Sequence, residues 1–248
     1  MSMPRKIRCR VETVTDHGGR VYTVEMRPSI PLPSFRPGQF LHLTVDDYDP
    51  GQHWPESRVF SIASPPASRD RLQIIYAVKG RYTSRMEQVL HPGVDVWVKL
   101  PYGDFVVDSS REVVLLAGGT GISAFTAFLG GLSERHSQPV RLVYGARHPG
   151  LWIYGQKALE LAARLPNFQV VFLAENAPDD LPTVPASLQG KVVYGLGRID
   201  LEWLWPLWPE PLKPVYYLSG PPAMLKALSD GLRARGIPPE NVRMDAWE

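Results

Sequence analysis

From Glu112 to Ala117 the chain reads Glu-Val-Val-Leu-Leu-Ala, then enters Gly118-Gly119-Thr120-Gly121. A continuous apolar run of this length is the pattern of a strand buried on both faces, and such strands belong to parallel sheets covered by helices. Phe125, Phe128, Leu129 and Leu132 then fall at helical spacing. The alternation continues with strand-like 140–145, helical 156–165, and strand-like 169–174, 192–196 and 215–218. A last helix places Met224, Leu225, Leu228 and Leu232 on one face. Strand–helix alternation predicts βαβ units and a parallel, Rossmann-like sheet over residues 108–248.

Residues 1–107 follow a different pattern. Short β-like runs at 20–26, 40–45, 58–62, 72–78 and 95–100 are separated by Gly18-Gly19, Pro37-Gly38, Pro65-Pro66 and Pro92-Gly93. Strands of this length and spacing predict an antiparallel β-barrel or sandwich, with one short helix near 84–90. Residues 176–190, rich in Pro and Asp, read as a loop.

Composition removes several classes of function. The balance of 27 basic and 25 acidic residues gives no global drive toward nucleic acid or membrane. One cysteine, Cys9, excludes a disulfide framework, an iron–sulfur cluster held by this chain alone and a multi-cysteine zinc site. The six histidines form no H-x-H or H-E-x-x-H pair, so no metal site is expected. Redox chemistry here must rest on an organic cofactor. No apolar run approaches the ~18 residues of a membrane span. The basic residues 1–10 lead into a strand-like 11–26 rather than a signal-peptide core, so the cytoplasm is the expected location.

Four segments carry chemistry. The Gly118–Gly121 turn joins a buried strand to a helix, where free N–H groups and the helix dipole suit a pyrophosphate; a tight structural turn is the alternative. Ser219-Gly220-Pro221-Pro222 forms a rigid turn after the strand 215–218, at the end of the sheet where ligands bind in open α/β folds; an ordinary strand–helix loop with Pro in the first helical turn is the alternative. Arg58-Val59-Phe60-Ser61 presents a cation, an aromatic and a hydroxyl on a strand. Lys79-Gly80-Arg81-Tyr82-Thr83-Ser84 opens the short helix, with Thr83 or Ser84 as N-cap; the same N–H groups could hold a phosphate, and capping alone is the alternative.

Taken together and in order, the segments RVFS, GRYT, GGTG and SGPP resemble the ferredoxin–NADP reductase-like flavoprotein superfamily over nearly the whole chain. PYGDF (101–105) and VYGAR (143–147) also look like the connecting segments of that family. The resemblance implies a flavin-binding β-barrel at 1–107 and an NAD(P)-binding α/β domain at 108–248. It implies that Arg58 pairs with the flavin phosphates, that Phe60 packs along the flavin and that Ser61 lies near the flavin N5. By the same route Tyr76, Val78 and Gly80 would line the adenine side, and the backbone at Tyr82 and Thr83 would hold phosphate. Gly118, Gly119 and Gly121 would let the dinucleotide lie close, with Thr120 between nucleotide and flavin. Gly220 and Pro221 would border the nicotinamide. Ser61 and Ser219 take the positions beside the reacting atoms.

Two departures stand out. The cysteine that usually precedes Gly-Pro-Pro in the family is Ser219, and the closing VRMDAWE carries its aromatic as Trp247. Trp247 would cover the flavin or pack on the domain edge. Where NADP-using relatives place a Ser-Arg pair, this chain has Glu175-Asn176. A carboxylate facing inward would repel a 2′-phosphate by about 4 kcal/mol at ~4 Å and an effective dielectric of ~20. That favours NADH by roughly two to three decades. The alternative is a solvated Glu175, with Arg147 or Arg198 reading the phosphate of NADPH.

The implied activity is hydride transfer from NAD(P)H to bound FAD (FMN being the alternative), then electron delivery to a separate acceptor. That acceptor would be a ferredoxin, a haem protein, an oxygenase component or a small molecule. Two rival readings are a reductase of free flavin and a non-catalytic flavin-binding subunit. Trp203, Trp205 and Trp208 suggest either a partner patch or a cap on the core.

Overall fold

The computed structural model describes residues 3–177 and 180–245; Trp247 lies outside the described residues. The chain divides into two compact units. One comprises the chain up to Val106 together with Ser123–Gly131; the other comprises Val107–Ile122 and the chain from Leu132 onward.

The first unit is a nearly closed antiparallel barrel of six strands. In chain order these are β1 (Arg5–Asp16), β2 (Val21–Pro28), β3 (Phe40–Thr44), β4 (Arg58–Ser61), β5 (Leu72–Ala77) and β6 (Asp95–Tyr102). Their order in the sheet is β4-β3-β6-β1-β2-β5. Helix α1 (Arg81–Val89) lies between β5 and β6. The period of two is clearest in β1, where Ile7, Cys9 and Val11 point into the core and Arg8 and Arg10 point out. Arg8 and Arg10 share the carboxylate of Asp95 across the β1–β6 pair. Hydrogen bonds from Arg10 and then Arg8 hold that carboxyl at about 2. Burial pushes the Cys9 thiol up to about 12, which makes it an inert core residue.

The short helix begins earlier than its apolar pattern suggests. Its N-cap is Gly80, not Thr83 or Ser84. Thr83 instead sits at the third helical position and its hydroxyl reaches back to accept the N–H groups of Lys79 (2.9 Å) and Gly80 (3.1 Å). This is half of a capping box, and it frees the helix start from any side chain on the N-cap itself.

The second unit is a six-stranded parallel sheet. Its strands are β7 (Val113–Gly118), β8 (Val140–Ala146), β9 (Phe168–Ala174), β10 (Val192–Leu196), β11 (Val215–Ser219) and β12 (Val242–Asp245). The spatial order is β10-β9-β8-β7-β11-β12. Every residue of β7 is buried, as its continuous apolar run predicts. Helices α3 (Gly155–Arg164), α4 (Leu201–Leu204) and α5 (Pro222–Ala234) join the strands. Helix α2 (Ser123–Gly131) follows β7 in the chain but belongs by its packing to the first unit, where Thr126 Oγ1 donates to the Ala63 carbonyl at 2.9 Å.

The tryptophan cluster mostly caps the core. Trp208 is buried against Tyr216 with ring centres 5.6 Å apart, and Trp205 packs beside the same cluster. Trp203 stays 43% exposed. Among the described residues of the expected loop at 176–190, one short 3-10 turn forms, Ala186–Leu188. No helix among the described residues is long and apolar enough to cross a membrane.

Candidate functional site

On the barrel, β4 is paired through one edge with β3, placing Arg58 opposite Leu43 and Ser61 opposite Phe40. Arg58 and Phe60 share one face by the alternation of the strand. The Arg58 guanidinium lies over the Tyr82 ring, 4.6 Å from its centre, and pairs with Glu56 at 2.9 Å. Hydrogen bonding from Arg58 is the main reason that the Glu56 carboxyl titrates below its usual range. Phe60 is half-buried, edge-on to Tyr76 at 6.1 Å. Ser61 is buried.

Tyr76 is buried. Its ring lies in the barrel core, stacked on Tyr22 at 5.3 Å. Its hydroxyl is buried and lacks a hydrogen-bond partner among the described residues. Burial raises its pKa. Val78 is half-buried and Gly80 is exposed, with open space where a side chain would project. Tyr82 is buried and donates to the Glu56 carbonyl at 3.0 Å. The first-turn N–H groups of α1, including those of Tyr82 and Thr83, have no partner within the helix and point to where an anion would bind.

In the second unit the two glycine turns meet. The strand order changes direction at β7, with β8 on one side and β11 on the other, which makes this the topological switch point of the sheet. Gly118–Gly121 leaves the C-terminal end of β7, and Ser219–Pro222 leaves that of β11. A side chain at Gly121 would come within 2.3 Å of the Ser219 carbonyl oxygen and 2.7 Å of the Gly220 nitrogen. One at Gly220 would come within 3.1 Å of the Gly118 backbone, and one at Gly118 within 2.6 Å of the Met224 sulfur. The room at these three glycines is therefore used for packing turn on turn. Gly119 alone, in the left-handed region at φ +55°, faces open space. Thr120 is half-buried beside it.

Ser219 is buried and its hydroxyl donates to Asp245 Oδ2 at 2.9 Å. Asp245 ends β12, directly across the ladder from Ser219. Pro221, next in this turn, is exposed and caps the start of α5. At the far end of the same sheet edge, Glu175 follows β9 and Arg198 follows β10. Both guanidinium nitrogens Nε and Nη2 of Arg198 donate to one Glu175 oxygen at 3.1 Å. The Glu175 carboxylate is thus half of an ion pair.

Sequence reasoning missed four residues here: Arg81, Glu56, Arg198 as the partner of Glu175, and Asp245. Asp245 had a signal, since it lies in the closing VRMDAWE segment, which was read for its aromatic instead.

Residues 115–230 match the family model described as an oxidoreductase NAD-binding domain. The chain is 29% identical over 214 residues to the toluate 1,2-dioxygenase electron transfer component of Pseudomonas putida, covering 84% of this chain and 57% of that protein. It is 25% identical over 248 residues to the propane 2-monooxygenase reductase component of Mycolicibacterium smegmatis, covering 97% of this chain and 67% of that protein. The solved structure of an Amycolatopsis cytochrome P450 reductase matches with a TM-score of 0.80 at 25% identity, over 99% of this chain and 70% of that one. The chain has the fold of the ferredoxin reductase-like FAD/NAD-binding flavoproteins. The chain spans between about half and two thirds of the length of these curated relatives.

Proposed function

We propose that this chain is an NAD(P)H-dependent flavoprotein reductase that binds FAD on residues 1–107 and NAD(P)H on 108–248, and passes electrons to a separate acceptor. The observation that carries the reading is the pair of interlocked glycine turns at the switch point between β7 and β11, with Gly119 open beside them. A parallel sheet presents a dinucleotide site at that place.

The barrel residues fit a flavin nucleotide. An unpartnered buried hydroxyl at Tyr76, a half-buried ring at Phe60, a guanidinium at Arg58 and the open start of α1 supply a polar contact, a flat surface and anion binding. When bound, FAD would supply the hydride acceptor and the electron relay. The protein's own contribution is then orientation. Arg58 and the N–H groups of Tyr82 and Thr83 hold phosphate. Phe60 fixes the plane of the ring. Gly119 leaves room for the dinucleotide, and Gly220 and Pro221 border the nicotinamide. Ser61 and Ser219 are assigned to the reacting end. The Ser219 hydroxyl is committed to Asp245, so its oxygen lone pairs are left to face a ligand. No side chain needs to move a proton for hydride transfer.

NADH is the favoured donor. Glu175 is the basis, but Arg198 neutralises part of its charge, so the preference is about tenfold rather than the two to three decades of an unpaired carboxylate. Glu175→Ser is expected to raise kcat/KM for NADPH relative to NADH. The acceptor class follows the relatives: an oxygenase component or its ferredoxin. The same reading places the protein in the cytoplasm, where NAD(P)H is supplied.

The deciding experiment uses the purified full chain. A bound yellow flavin, released and weighed as FAD, that bleaches within seconds of adding NADH is the expected result. Colourless protein that turns over added flavin would make it a reductase of free flavin. Bound flavin that neither nucleotide reduces would make it a non-catalytic subunit.

A further inference from the structure

Glu56 stands between two arginines. Its Oε1 is 2.9 Å from Arg58 Nη2 and 3.1 Å from Arg81 Nη2, and its Oε2 is 3.0 Å from the same Arg81 nitrogen. The three groups come from separate places in the chain: the loop before β4, β4 itself and the first position of α1. One carboxylate thus brings two guanidiniums to within a single anion's width of each other. Two neighbouring guanidiniums repel unless an anion lies between them, and a carboxylate and a phosphate offer them the same pair of oxygens.

The surroundings distinguish a movable anion from a structural one. The backbone of Glu56 is pinned, because the buried Tyr82 hydroxyl donates to its carbonyl. The Glu56 side chain is 39% exposed and Arg81 84% exposed, so neither is locked by packing. Arg58 is held independently, by its donation to the Ser57 carbonyl at 2.8 Å and by its seat over the Tyr82 ring. The Glu56 carboxylate can therefore rotate away at little cost while the backbone and Arg58 stay in place.

We propose that Glu56 is an internal counter-anion that keeps Arg58 and Arg81 side by side and is exchanged for a flavin phosphate on binding, which makes Arg81 a second phosphate-binding residue. This rests on the flavin-binding reading above. It assigns opposite signs to two neighbouring side chains. Arg81 strengthens flavin binding, whereas Glu56 competes with the flavin for the same cations.

The test measures affinity of the full chain, freed of flavin, for FAD and for riboflavin, which has no phosphate. Equilibrium dialysis and flavin fluorescence give the two dissociation constants. Arg81→Met is expected to weaken FAD binding about three- to tenfold and Glu56→Gln to tighten it by a similar factor, with riboflavin unchanged in both. FAD binding unchanged in both variants, weakened by Glu56→Gln, or shifted no more than riboflavin would each overturn the proposal. All these residues are on the surface, so the variants keep the fold. A wild-type chain that binds no flavin at all would instead remove the reductase reading on which the proposal stands.

Discussion

At the scale of single residues, the same substitution has opposite consequences at two glycines. Gly121 has no room for a Cβ, because the Ser219 carbonyl occupies that volume. Gly131 is exposed at the end of α2 and has nothing within 4 Å of where a Cβ would lie. Gly121→Ala is expected to cost about 1–3 kcal/mol by overpacking. Gly131→Ala is expected to add about 0.4–1 kcal/mol by restricting the unfolded chain. Urea unfolding of the two variants checks both signs. Ser219 offers a second comparison. Ser219→Ala takes a hydrogen bond from a buried carboxylate and should cost about 1–3 kcal/mol. Ser219→Cys keeps the volume and a weaker donor, so its unfolding midpoint should fall between alanine and wild type. An alanine variant as stable as the parent would mean that the Asp245 contact contributes nothing.

At the scale of elements, Thr83 decides where α1 begins. Its hydroxyl serves two backbone N–H groups that precede the helix. Thr83→Ala should therefore lose about 1 kcal/mol, and Thr83→Ser should recover most of it; thermal melts of the three proteins make the comparison. This helix also marks the limit of what the sequence reveals. The apolar positions Tyr82 and Met86 are too few to define a period over nine residues, so the pattern located the helix but not its start. The long parallel strands were plain, since β7 is apolar throughout. β12 was not, because only Val242 and Asp245 of its four residues are buried and one of those is a carboxylate. The turns after β7 and β11 were legible as glycine clusters. Which glycine faces open space and which faces another turn was not, since both demands leave the same letter in the sequence. Ion pairs formed across long separations, such as Arg198 with Glu175, leave no local pattern at all.

At the scale of the molecule, the break in pattern near residue 107 announced two kinds of architecture. It could not announce that α2 packs with the barrel, because that depends on Thr126 meeting a carbonyl sixty-three residues earlier. Titration also acts on the whole. Burial lowers the pKa of His17, His42 and His136 from 6.5, with Lys99 adding to the effect at His42 and with Asp16 and a backbone hydrogen bond opposing it at the other two. Each is thus held neutral in the fold. The stability this gives is present above pH 6.5 and is lost as the pH falls through the lowered folded values. Asp95 does not share that window, since its contribution persists above 3.8 and fades only toward about 2. The urea midpoint should therefore drop between pH 7.5 and pH 5, and a His17→Asn, His42→Asn, His136→Asn variant should show a flatter profile. A wild-type midpoint that is constant over that range would contradict the assignment.

The contact between Gly121 and Ser219 has one more consequence, for anyone who wishes to redesign the protein. Backbone touching backbone leaves no side chain to trim when one partner changes shape. A glycine turn borrowed from a relative will not seat unless the turn facing it is borrowed too. The two turns, a hundred residues apart in the gene, have to be inherited, or transplanted, as one part.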